Sequence, residues 1–158
     1  MKTLELKING HLETVTVNEK WTLLHVLREV LHFTGTKCGC DSNDCGACKV
    51  IIDGEAVNSC SVIAAGLEGR DIRTIEGLGD PERLHPVQEA LIECGAVQCG
   101  YCTPGMAMTA KAFLDKNPRP REEEVRAALD KNLCRCTGYA KIVEAVLLAA
   151  ERMRPAHD

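Results

Sequence analysis

The chain has 158 residues, enough for one domain of ordinary size or two small ones, and small domains commonly need a metal or another staple to be stable. A net charge of −4 and an aromatic content of 3% exclude the basic patch and the base-stacking surface of a nucleic-acid binder. No apolar run is long enough to span a membrane, and neither an apolar signal region nor an Arg pair follows Met1, so the expectation is a cytoplasmic protein.

Residues 3–8 alternate, with Leu4, Leu6 and Ile8 on one face, and Asn9-Gly10 is a strong hairpin signal. Alternation resumes over residues 12–17 through Leu12, Val15 and Val17, with one break in phase. The period then becomes helical at Leu23, Val26, Leu27, Val30 and Leu31. A cysteine-rich loop covers about residues 36–48, followed by a strand over 49–53, a turn at Asp53-Gly54 and a return strand over 56–58. Ile72, Thr74 and Ile75 suggest one more strand. Gly77-Leu78-Gly79-Asp80-Pro81 reads as a linker. Beyond it the pattern predicts four helices, at about 85–94, 104–116, 122–131 and 141–153. The third opens on Glu122-Glu123-Glu124, which suits the positive end of a helix dipole. The predicted fold class is α+β. Two hairpins around one helix form a β-grasp, plant-type ferredoxin-like domain over residues 1–76, and a four-helix bundle forms the second domain over residues 77–158.

Eight of the ten cysteines fall into two sets of four. In a reducing compartment such clusters more often bind metal than form disulfides. Cys40-x4-Cys45-x2-Cys48, closed by Cys60, has the plant-type spacing of a [2Fe–2S] cluster. Its x4 loop and distant last member do not match the paired spacing usual for zinc. Cys99-x2-Cys102 with Cys134-x-Cys136 follows neither the bacterial nor the plant run, and spacing alone leaves iron and zinc both open. Cys99 and Cys102 precede the second of the four helices, and Cys134 and Cys136 lie between the third and fourth, so a bundle brings the two pairs to one end. Gly39 and Gly46 flank cysteines where the backbone must bend and approach sulfur. Arg135, between two thiols, reads either as a charge that stabilises a reduced cluster or as a solvated loop residue. Cys38 fits the plant-type spacing less well than Cys40, and Cys94, with Ala90 and Leu91, reads as a small buried apolar residue. His11, His25, His32, His85 and His157 are scattered outside the cysteine runs. With no phosphate loop and no nucleophile–base pair, no catalytic residue is expected.

Gly35-Thr-Lys-Cys-Gly-Cys40, Asp44-Cys-Gly-Ala-Cys48, Gln98-Cys-Gly-Tyr-Cys-Thr-Pro-Gly-Met106 and Asn132-Leu-Cys-Arg-Cys-Thr-Gly-Tyr139 resemble, in order, the iron–sulfur subunit of the molybdenum hydroxylases. That family includes xanthine dehydrogenase, aldehyde oxidoreductase, aerobic carbon monoxide dehydrogenase and hydroxybenzoyl-CoA reductase relatives. Ile75-Glu-Gly-Leu78 stands at the family's domain junction, and Lys49 departs from a position that is often Thr. The resemblance implies an electron-transfer subunit without substrate chemistry of its own. One [2Fe–2S] cluster would sit on Cys40, Cys45, Cys48 and Cys60, and another on Cys99, Cys102, Cys134 and Cys136. It implies a large partner subunit carrying molybdopterin in a dinucleotide form, a medium partner subunit carrying FAD, and a dimer of heterotrimers. Gln98 matches a glutamine that hydrogen-bonds the pterin, where a helix cap is the plainer role, and Cys136 matches a cluster ligand whose sulfur approaches the pterin. The alternatives are a free-standing two-cluster ferredoxin serving several reductases and a zinc-stabilised adaptor.

Overall fold

The structure is a computed structural model that describes residues 1–154, so His157 and the end of the expected second domain lie outside the described residues. Strands β1 (Lys2–Ile8) and β2 (His11–Val17) pair antiparallel, from Lys2 opposite Val17 to Ile8 opposite His11. Asn9 and Gly10 between them take φ of 52° and 86°, the pair of positive values that a type I′ hairpin turn requires. Alternation puts Leu4, Leu6, Ile8, Val15 and Val17 inside, while Leu12, at the break in phase, is 69% exposed.

Helix α1 (Leu23–Val30) starts under a Thr22 cap, whose Oγ1 accepts from the His25 amide at 3.2 Å. From Val26 it widens to π geometry, with the Leu31 amide donating to the Val26 carbonyl. Arg28 on this helix donates to the carbonyls of Thr34 and Thr36 at 3.0 and 2.7 Å, tying the following loop to it.

The second hairpin, β3 (Lys49–Ile52) and β4 (Glu55–Asn58), turns on Asp53 and Gly54 with φ of 49° and 86°. Strand β5 (Asp71–Arg73) stops two residues earlier than expected. Thr74 is buried and held by Asn9, and Ile75–Gly77 closes into a 3-10 turn. The sheet order is β2-β1-β5-β3-β4, with β1 and β5 parallel and the other pairs antiparallel.

Helices α2 (Pro86–Glu93), α3 (Thr103–Lys116), α4 (Glu122–Leu129) and α5 (Ala140–Arg152) follow. At the start of α2 the His85 Nδ1 accepts from the Val87 amide, the Gln88 side chain accepts from the His85 amide, and Pro86 takes the first helical position. Burial, aided by nearby Lys111, holds His85 below the usual imidazole pKa and keeps the cap neutral. At α4 the Glu124 carboxylate accepts from the Arg121 amide at 2.7 Å, and that bond lowers its pKa.

One core lies between the sheet and α1, around Leu6, Val17, Val26, Leu27 and Ile72. Another joins the four later helices through Met106, Leu114, Val125, Ile142 and Val146. Strand β3 is buried on both faces: Val50 and Ile52 enter the first core, and Ile51 packs on Met108 and Ala112 of α3. The continuous apolar run of this strand thereby joins the two halves. The whole is a mixed sheet with five helices among the described residues, a ferredoxin-like α+β fold, and none of the helices is long and apolar enough to cross a membrane.

Candidate metal centres

The loop from α1 to β3 is anchored at its start. Glu76 accepts from the Gly35 amide at 2.7 Å, and a Cβ on Gly35 would lie 2.4 Å from the Ile75 side chain. Asp41, Asn43 and Gly46 then take left-handed backbone, with φ of 56°, 65° and 71°. Such turns direct amide groups inward, toward negative charge. The Cys40 sulfur accepts from the amides of Ser42 and Cys45, both at 3.4 Å, and the Cys45 sulfur accepts from the Ala47 amide at 3.4 Å. Cys60 arrives on the turn after β4, where Ser59 is buried and its hydroxyl donates to the Cys48 carbonyl at 2.7 Å.

The electrostatics of this set are uneven. Hydrogen bonding by the Ser42 side chain, and then by the amides of Cys45 and Ser42, lowers the Cys40 pKa to about 6. Burial pushes Cys45 up, and burial together with the neighbouring Cys48 thiol pushes Cys60 up to about 11. Iron binds thiolates, so loading this site removes protons that the apo-protein holds.

The second set comes from two ends of the helical half. Cys99 and Cys102 lie just before α3, with Gly100 between them at φ 80°. Cys134 and Cys136 lie between α4 and α5. The Tyr139 hydroxyl accepts from the Cys134 amide at 3.0 Å, and Thr137 donates to the Cys134 sulfur through its amide at 3.4 Å and its hydroxyl at 3.1 Å. Burial pushes Cys102 up to about 12, with the adjacent Cys134 thiol adding to it. Burial acts upward on Cys134, but hydrogen bonds from Thr137, the Cys136 amide and Cys102 together outweigh it and the net shift is downward.

Within each set the thiols lie close enough to act on one another: Cys40 and Cys48 on Cys45, Cys48 and Cys40 on Cys60, Cys134 and Cys99 on Cys102, and Cys99 and Cys134 on Cys136. Among the described residues, no three His, Cys, Asp or Glu side chains close around a single ion. A [2Fe–2S] core is held by four thiolates gathered in one place. All ten cysteines are free thiols. The residues present therefore fit [2Fe–2S] clusters in both places.

Other sequence expectations fall as follows. Cys38 is exposed, and its carbonyl accepts from the Tyr101 hydroxyl at 2.6 Å. Cys94 is the C-cap of α2 and only half-buried against the helical core, because the helix ends one residue before it. Gln98 is exposed and does not serve as a cap, since no side chain caps α3. Arg135 is exposed, and Lys49 is half-buried, which lowers its pKa. Sequence reading missed the supports: Arg28, Glu76, Tyr101, Thr109 and Asn132. For Tyr101 and Asn132 the signal was their place inside the cysteine motifs, and for Glu76 its place in Ile75-Glu-Gly-Leu78; for Arg28 and Thr109 there was none.

A ferredoxin-like fold that gathers two sets of four thiols defines a two-centre iron–sulfur protein. Comparison with known proteins narrows that class. Residues 6–76 match the "2Fe-2S iron-sulfur cluster binding domain" family and residues 74–147 the "[2Fe-2S] binding domain" family. The chain is 46% identical over 150 residues to the nicotinate dehydrogenase small FeS subunit of Eubacterium barkeri, covering 95% of this chain and 96% of that one. Among solved structures it superposes on quinoline 2-oxidoreductase from Pseudomonas putida 86 with a TM-score of 0.91 and 41% identity, covering 95% of this chain and 94% of that one. On the aldehyde oxidoreductase of Desulfovibrio desulfuricans the TM-score is 0.95 with 44% identity, covering 98% of this chain but 17% of that longer one. The chain belongs to the iron–sulfur small subunits of the molybdenum hydroxylase, or xanthine dehydrogenase, family. It is the electron-transfer subunit of an oxidoreductase.

Proposed function

We propose that this chain passes electrons one at a time between molybdopterin on a large partner subunit and FAD on a medium one. Cys40, Cys45, Cys48 and Cys60 hold one [2Fe–2S] cluster, in a β-grasp domain over residues 1–76. Cys99, Cys102, Cys134 and Cys136 hold the other, in a four-helix-bundle domain over residues 77–158. Each cluster, when bound, supplies a one-electron centre. The chain contributes thiolates, amide donors and spacing, and the substrate pocket lies in the large subunit. The complex is a cytoplasmic dimer of heterotrimers.

The observation that carries this reading is the run of exposed polar and apolar residues that flanks the helical thiols in sequence. Gln98, Cys99 and Cys136 are all exposed. Close in sequence to these thiols, Val97, Tyr101 and Leu133 are 38%, 48% and 55% exposed. Large apolar side chains left open around a redox centre suit burial against a permanent partner. Gln98 and Cys136 are the groups that meet the pterin there.

Native purification tests the proposal. The chain is expected to elute with a larger molybdenum-containing chain and a flavoprotein. Gln98→Ala is expected to leave both cluster spectra unchanged and to lower the molybdenum content of the purified complex. Elution alone, with efficient reduction by unrelated reductases, would assign the chain instead as a free-standing ferredoxin.

A further inference from the structure

Asn132 belongs to the helical half, two residues before Cys134, yet its side chain serves the other half. It is 2% exposed. Its Oδ1 accepts from the Thr109 hydroxyl on α3 at 3.0 Å, and its Nδ2 donates to the Gly46 carbonyl at 3.3 Å. The neighbouring Leu133 amide donates to the Cys45 carbonyl at 2.8 Å. Gly46 is closed in on two sides. A Cβ there would lie 2.4 Å from the Lys131 carbonyl oxygen, and a Cβ on Gly105 of α3 would lie 2.3 Å from the Gly46 carbonyl oxygen.

The direction of one peptide follows from this grip together with the turn it reinforces, in which the Lys49 amide also donates to the Gly46 carbonyl at 3.2 Å. The Gly46 carbonyl and the Ala47 amide share a peptide plane, and in a trans peptide the C=O and N–H point in opposite directions. Holding the oxygen on Asn132 turns the Ala47 N–H the other way, where it meets the Cys45 sulfur at 3.4 Å. Hydrogen bonds to the sulfurs of an iron–sulfur cluster are a determinant of its potential, and a donor that offsets negative charge raises it. The Gly46 carbonyl can only accept, so it takes the NH₂ end of the Asn132 amide, which leaves Oδ1 to accept from the Thr109 hydroxyl. That second bond anchors the amide; without it the side chain keeps only its bond to Gly46.

We propose that Asn132, anchored by Thr109, is a positioning residue that aims the Ala47 N–H at the Cys45 sulfur and so raises the potential of the cluster in the ferredoxin-like half. The inference rests on the ligand set proposed for that half. Asn132 is next but one to Cys134 and packs directly on Gly46, so a general packing defect would disturb both clusters, whereas aiming the Ala47 amide concerns only the one in the ferredoxin-like half.

The experiment is a redox titration of the cluster-loaded full chain, followed by electron paramagnetic resonance, which resolves the two centres. Asn132→Ala is expected to shift the ferredoxin-like centre to more negative potential. The expected size is about a tenfold change in its reduced-to-oxidised ratio, or roughly 59 mV for one electron. Thr109→Val, which removes only the hydroxyl, is expected to shift it in the same direction by less, and Thr109→Ser to restore the wild-type value. The helical centre is expected to hold its potential throughout. If wild-type protein titrates as two centres and neither Thr109→Val nor Asn132→Ala moves the ferredoxin-like one, or if only the helical one moves, the inference is overturned and the proposed function stands. A wild-type chain that does not carry two such centres overturns both.

Discussion

Cys40→Ser is expected to remove one of the two clusters, about half of the bound iron, while Cys38→Ser keeps both. The two thiols are two residues apart and both exposed, so spacing favours Cys40 but exposure does not separate them. Their surroundings do. The Cys40 sulfur accepts two amide hydrogen bonds, contacts Cys45 and has its pKa lowered to about 6, so it is the thiol prepared to be a thiolate. At Cys38 the backbone carbonyl is the group engaged, by Tyr101. A serine oxygen is a poor substitute for a soft thiolate toward iron–sulfur cores. The loss should also destabilise the ferredoxin-like half, because metal binding in small domains is part of folding. Iron analysis with visible absorption reads the result, and retention of both clusters by Cys40→Ser with loss in Cys38→Ser would reverse the assignment.

Gly105→Ala is expected to destabilise the protein although it improves helix propensity. Alanine is favoured over glycine inside a helix by about 1 kcal/mol. At Gly105, however, the added Cβ would meet the Gly46 carbonyl oxygen at 2.3 Å and the Ala47 Cα at 3.1 Å. Overpacking typically costs about 1–3 kcal/mol, and a neighbour that is backbone cannot swing aside, so the cost lies at or beyond the upper end. The net loss of roughly 2 kcal/mol corresponds to a melting temperature lower by about 4–8 °C. Gly66→Ala is the control: nothing lies within 4 Å of its Cβ position, and no loss is expected. Thermal unfolding of the cluster-loaded chain compares the two. Equal melting temperatures for Gly105→Ala and wild type would mean that α3 and the cysteine loop are not tightly joined.

What the sequence makes legible is local. Asn9-Gly10 and Asp53-Gly54 announce hairpin turns because only a few residue types accept positive φ at both positions. The helical segments announce themselves by period, and the cysteine sets by spacing. What escapes is long-range. Strand β5 ends at Arg73 because Thr74 is held by Asn9, 65 residues away. The π geometry of α1 is absent from its periodicity. Nothing near Gly46 indicates that its carbonyl is held by a side chain 86 residues further on. Spacing left the metal of the second set open. The gathering of Cys99, Cys102, Cys134 and Cys136 is a property of the folded chain, in which α3, α4 and α5 share one core.

Iron, labile sulfide and zinc measured per chain on anaerobically isolated protein test the two-centre assignment most directly. The expected result is about four irons and four sulfides with negligible zinc, two of each for every [2Fe–2S] cluster. Two irons together with one zinc would contradict the assignment of the helical thiols and leave the chain without its second electron-transfer centre.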